Sequence, residues 1–129
     1  MTESVDGCPR ILIVDDDRDF RENLSRALIM QGGFEVNTAG DGFEAGYLFA
    51  RTRPHVVILD VVMNGMGGLD ICRKIRRMSR EQGPRIIVLT AYPGKETGER
   101  TLLHGADLLL TKPQDVQQLI LHIEDLLGD

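Results

Sequence analysis

Apolar residues fall in short continuous runs, and these runs alternate with stretches that repeat at helical spacing. Arg10-Ile11-Leu12-Ile13-Val14 is one such run, and it stops at acids. From Asp17 to Met30, Phe20, Leu24, Ala27 and Leu28 recur on one face of a helix. Gly32-Gly33 ends that helix, since glycine suits the left-handed cap. Phe34 to Ala39 alternates and predicts a second strand. Asp41-Gly42 turns the chain into a short helix with Ala45, Leu48 and Phe49 inward. Pro54 opens a third strand, His55 to Leu59. Gly68 to Ser79 predicts a third helix with Leu69, Cys72 and Ile75 buried, and Gly83-Pro84 breaks the chain after it. Arg85 to Leu89 is a fourth strand. Pro93 to His104 reads as a fourth helix, although Pro93, Gly94 and Gly98 all weaken it. Ala106 to Leu110 is a fifth strand, and a last helix carries Val116, Leu119, Ile120, Ile123, Leu126 and Leu127 on one face.

Continuous apolar strands separated by helices argue for a parallel sheet covered on both sides. Five such units suit an α/β, flavodoxin-like, doubly wound five-stranded parallel sheet in the order 2-1-3-4-5 with five helices. A length of 129 residues and a hydrophobic content of 42% fit one domain with one core. The longest apolar run, Val56 to Leu59, falls far short of the roughly 20 residues of a membrane span. Met1 to Arg10 is polar and has no apolar signal stretch, so a cytoplasmic protein is the simplest reading.

Charge and cysteines narrow the function classes. The net charge of −5 opposes nucleic-acid binding. The basic cluster Arg73-Lys74-Ile75-Arg76-Arg77 reads as a solvated helix face. Cys8 and Cys72 cannot build a disulfide framework, and Cys72 sits among apolar helical positions as a small core residue. His55, His104 and His122 have no ligand spacing. Neither a phosphate-binding GxxxxGK[ST] loop nor a GxGxxG after the first strand occurs.

In a doubly wound sheet, ligands bind beyond the carboxyl ends of the strands. Strand one ends in Asp15 and Asp16, strand three in Asp60, strand four in Thr90 and strand five in Lys112. Taken singly, each has a bland reading. The Asp15-Asp16-Asp17 run suits a turn, with Asp17 capping the first helix. Thr90 alone is structural, and Lys112 alone is a surface residue. Together they place three acids, a hydroxyl and an ammonium at one edge. Converging carboxylates repel unless a cation neutralises them. All-oxygen ligands suit Mg²⁺. A carboxylate such as Asp60 can attack phosphorus and become an aspartyl phosphate. Mg²⁺ and Lys112 would stabilise the charge on the phosphoryl oxygens, and Thr90 could donate a hydrogen bond to one of them.

Five segments carry a family resemblance: Ile11 to Asp17, Leu59-Asp60-Val61-Val62-Met63, Gly67-Gly68-Leu69-Asp70, Leu89-Thr90-Ala91 and Thr111-Lys112-Pro113. In this order, each of the strand-end motifs resembles its counterpart in response-regulator receiver domains of two-component signalling. The resemblance covers Arg10 to Leu127, with residues 1–9 as a flexible N-terminal segment and 10–129 as the receiver domain. It implies Asp60 as phosphoacceptor and metal ligand, Asp16 as a direct Mg²⁺ ligand, and Asp15 as a ligand directly or through water. It also implies the backbone carbonyl of Val62 as a ligand, Thr90 as sensor of the phosphoryl group, and Lys112 as its partner. The implied donor is a histidine kinase or histidine phosphotransfer protein. The implied output face, for an effector or a second copy, is formed by the fourth and fifth helices and the strand between them.

Three positions depart from the family pattern. Asn64 stands where proline is usual. Leu109 replaces the Tyr or Phe three residues before the lysine, so switching is expected to rely on shifts around Pro93 to His104. Val62 and Tyr92 are bulky and non-acidic, which predicts slow loss of the phosphoryl group. Two rival readings follow: a degenerate receiver that binds a partner without phosphorylation, and a small Mg²⁺ phosphohydrolase. The second would need another acid near Asp60, where Val61 and Val62 stand.

Overall fold

A computed structural model of the chain describes residues 7–60, 67–79, 83–91, 105–112 and 115–128. The strands Arg10–Val14 (β1), Glu35–Ala39 (β2), Val56–Leu59 (β3), Arg85–Thr90 (β4) and Leu108–Thr111 (β5) form one parallel sheet, ordered β2-β1-β3-β4-β5. That is the expected order. Successive strand residues point to opposite faces, so a strand in the middle of a covered sheet must be apolar throughout. Ile11, Ile13, Ile58 and Leu89 meet the helices Arg18–Gly32 (α1) and Val116–Leu127 (α4). Leu12, Val14, Val57, Leu59 and Val88 meet Gly42–Thr52 (α2) and Gly68–Met78 (α3).

The expected five helices are corrected to four among the described residues. The stretch 93–104, which was to supply the fourth of five, lies outside them. Its pattern had the least local support, because Pro93 lacks an amide donor and Gly94 and Gly98 carry the entropic cost of glycine in a helix. In α3 the inward phase is also corrected: Ile71, Cys72 and Ile75 are buried, whereas Leu69 is half-buried. β5 begins at Leu108 rather than Ala106, because pairing with β4 starts at Ile87 with Leu108.

Local chemistry sets the helix ends. Asp17, Asp41 and Asp115 each accept a hydrogen bond from an amide of the first turn, so three aspartates act as N-caps. Gly33 closes α1 at φ 70°, where glycine has no side chain to strain. α2 closes on Arg53 at φ 48°, a left-handed conformation that a non-glycine residue rarely takes. The buried Arg10 holds it there, donating from Nε to the Thr52 carbonyl at 2.8 Å and from Nη2 to the Arg53 carbonyl at 3.0 Å. None of the described helices is long and apolar enough to cross a membrane.

Candidate functional site at the carboxyl edge of the sheet

Backbone pairing continues one step past the strands and delivers the polar residues. The Asp15 amide donates to the Ala39 carbonyl at 3.1 Å, and the Asp60 amide donates to Val14 at 3.1 Å. The Lys112 amide donates to Thr90 at 2.8 Å. Strand alternation then decides which side chains meet. Ile13, Ile58 and Leu110 belong to the core under α1. Two residues beyond them stand Asp15, Asp60 and Lys112, which continue on that same side. Thr90 continues the line of Val88, on the side of α2 and α3.

The three residues on the α1 side converge. Lys112 Nζ donates to Asp15 Oδ2 at 2.6 Å and to Asp60 Oδ2 at 3.0 Å. Asp15 is 2% exposed and Asp60 7%. Burial lifts the Asp15 carboxyl above its usual range, although the hydrogen bonds from Lys112 and the Asp17 amide pull it back. For Lys112, burial works against the charge. Its bonds to Asp15 and Asp60 outweigh that, and its pKa lies above the ordinary lysine value. The ammonium therefore stays charged between the two acids.

Other residues shape the edge from α1. The Asp17 amide donates to Asp15 Oδ1 at 2.9 Å, and Arg21 Nη1 donates to the Asp15 carbonyl at 2.7 Å. A side chain at Gly40 would come within 2.9 Å of that same Arg21 nitrogen, so the absence of one leaves the guanidinium its place. The Phe20 ring lies under the ammonium, with Nζ 4.0 Å from its centroid. Sequence reasoning missed Phe20 and Arg21. Phe20 fits the apolar face of α1, and periodicity cannot separate a core contact from a lysine contact.

Of the expected site, Asp15, Asp60 and Lys112 are brought together and Thr90 is fully buried at the end of β4. Asp16 is exposed, and Val62 lies outside the described residues. Among the described residues, no group of three or more His, Cys, Asp and Glu is arranged to hold a metal ion. Asp15 spends one oxygen on an amide and the other on Lys112, so the ammonium offsets part of the pair's negative charge. The donor chemistry still suits a hard divalent cation, because the charged oxygen donors are carboxylates.

Over residues 11–124 the sequence matches the response regulator receiver domain family. The chain belongs to this family. Receivers of this kind are signalling phosphoacceptors of two-component systems rather than enzymes, and Mg²⁺ dependence is general among them. The receiver is similar to the response regulator MprA of Mycobacterium leprae, 42% identical over 118 residues, covering 92% of this chain and 50% of that protein. The MprA regulator of Mycobacterium avium is 41% identical with the same coverage. The chain thus spans about half the length of these relatives. Among solved structures, the chemotaxis protein CheY4 of Vibrio cholerae is 30% identical with a TM-score of 0.85, covering 92% of this chain and 98% of that one. A CheY-like receiver from Methanospirillum hungatei is 26% identical with a TM-score of 0.87, covering 94% of each chain.

Proposed function

We propose that this receiver takes a phosphoryl group on Asp60 from a histidine kinase or histidine phosphotransfer protein, in the cytoplasm, and thereby changes which partner it binds. The observation that carries the reading is the Lys112 ammonium held between two buried carboxylates, Asp15 and Asp60.

In this reading an Asp60 carboxylate oxygen forms a bond to phosphorus. The donor's P–N or P–O bond breaks, and its electron pair leaves with the donor. Lys112 follows the charge as it shifts onto the phosphoryl oxygens, within a site where burial strengthens the attraction. Thr90, at the end of β4, donates to one of those oxygens. Asp15, Asp16, Asp60 and the Val62 carbonyl would hold Mg²⁺, which supplies charge neutralisation when bound. For the output, β5 and α4 are read as part of a face for an effector or a second copy. The stretch 93–104, the third part of that face, lies outside the described residues.

Intact-mass spectrometry after incubation with acetyl phosphate and Mg²⁺ tests the reading. One phosphoryl adduct is expected, absent in Asp60→Asn and absent without Mg²⁺. A folded wild-type chain that takes no adduct would overturn it in favour of a receiver that works without phosphorylation.

A further inference from the structure

We propose that Phe20 is a positioning residue for phosphoryl transfer, its ring face seating the Lys112 ammonium between Asp15 and Asp60. The inference rests on the reading of Asp60 as phosphoacceptor. It begins from the number of contacts a lysine needs. An ammonium has three donors on a flexible four-carbon stem, and freezing it in one place is entropically costly. Here two directions are taken by carboxylates, at 2.6 and 3.0 Å. The Phe20 ring, 4.0 Å from Nζ to centroid, takes another. The negative face of an aromatic ring attracts a cation, most strongly where water is scarce. Lys112 is 16% exposed, so water is scarce here.

The ring is held by a closed circuit of contacts. Asp15 Oδ1 accepts from the Asp17 amide at 2.9 Å. Asp17 Oδ1 accepts from the Phe20 amide at 3.1 Å, fixing Phe20 in the first turn of α1. The Phe20 ring meets Lys112, and Lys112 returns to Asp15 Oδ2. Phe20 also packs on the core under α1, which limits its tilt. Four residues thus fix one another, and Asp60 receives a cation already in place. On β5 the position three residues before Lys112 is Leu109, packed into the opposite core cluster, so the ring against the lysine comes from α1.

The role needs no new chemistry. Asp60 bonds to phosphorus, the donor's bond to phosphorus breaks, and neither Phe20 nor Lys112 gives up a proton. Preorganised charge lowers the barrier because nothing has to reorient during the step.

The test replaces Phe20 with mono-, di- and pentafluorophenylalanine, which drain the ring face of negative charge with little change of shape, and adds Phe20→Leu. Two quantities are measured: the initial rate of Asp60 phosphorylation by acetyl phosphate, and the proton chemical shifts of the Lys112 methylene next to Nζ. The rate should fall stepwise along the series, to about 2- to 30-fold below wild type at its end. The Lys112 methylene should resonate upfield in the wild type, from the ring face beneath it, and return downfield in Phe20→Leu. A flat rate across the fluorinated series, or unshifted Lys112 protons in the wild type, would overturn the proposal even if Phe20→Leu fails to fold. A wild-type chain that takes no phosphoryl group on Asp60 would instead sink the underlying reading, and this inference with it.

Discussion

Cys72 lies on the inward face of α3 with no exposed surface, and burial pushes its thiol up to about 11 from 9.0. The folded state therefore keeps the proton after the unfolded chain has begun to lose it. This contribution to stability is complete below about pH 9 and is lost as pH rises toward 11. By about pH 10.5 the loss should reach roughly 2 kcal/mol. Urea unfolding of the wild type and Cys72→Ala from about pH 8 to about pH 10.5 isolates it. The stability gap between the two should narrow with pH, and parallel profiles would count against the burial argument. Cys72 was legible in the sequence because small apolar residues at helical spacing have one usual fate. Phe20 was not, since its amide, its ring and its core contact serve three different neighbours and only the last has a periodicity.

At the scale of elements, α3 is tied to the start of β5 by one side chain. Arg76 donates from Nε to the Gly105 carbonyl at 2.7 Å, from Nη1 to Pro84 at 2.6 Å and from Nη2 to Asp107 Oδ2 at 2.6 Å. Asp107 Oδ2 in turn accepts the Ile86 amide at 2.7 Å, so the same carboxylate registers β4 against the chain entering β5. Removing the fork in Arg76→Ala should cost about 3 kcal/mol, the range for hydrogen bonds to charged groups that become unpaired. Arg76→Lys should not restore it, because one ammonium cannot serve three acceptors set for a planar fork. Urea midpoints at constant slope measure both. A cost within about 0.5 kcal/mol of zero, typical of plain surface changes, would mean the clamp is decorative. The reading of the α3 basic cluster as a solvated face holds for the exposed Arg73, Lys74 and Arg77 but not for Arg76. Strand runs and aspartate caps could be read locally, since their partners lie within a few residues. The clamp could not, because Arg76 and Asp107 stand 31 residues apart and only the sheet register brings them together.

Over the whole molecule, charge is arranged along the strand direction. The amino ends of α1, α2 and α4 are capped by acids, Asp17, Asp41 and Asp115. Arg10 serves the carboxyl end of α2. This follows the helix dipole, which favours negative charge at amino ends and positive charge at carboxyl ends. In a chain of net charge −5, the carboxyl edge holds buried Asp15 and Asp60 beside the Lys112 ammonium and the Arg21 guanidinium, and a divalent cation bound there would add to that neutralisation. Binding to the folded state alone should raise stability by about 1.4 kcal/mol for each tenfold of Mg²⁺ above its dissociation constant. For a domain of this size that is a midpoint rise of roughly 5 °C per tenfold. Thermal unfolding at matched ionic strength should show the rise in the wild type and its reversal by a chelator. Asp60→Asn should flatten it by removing one of the two buried carboxylates. An equal rise in that variant would mean that Mg²⁺ acts on the diffuse surface charge, and the carboxyl edge would lose its claim to the ion.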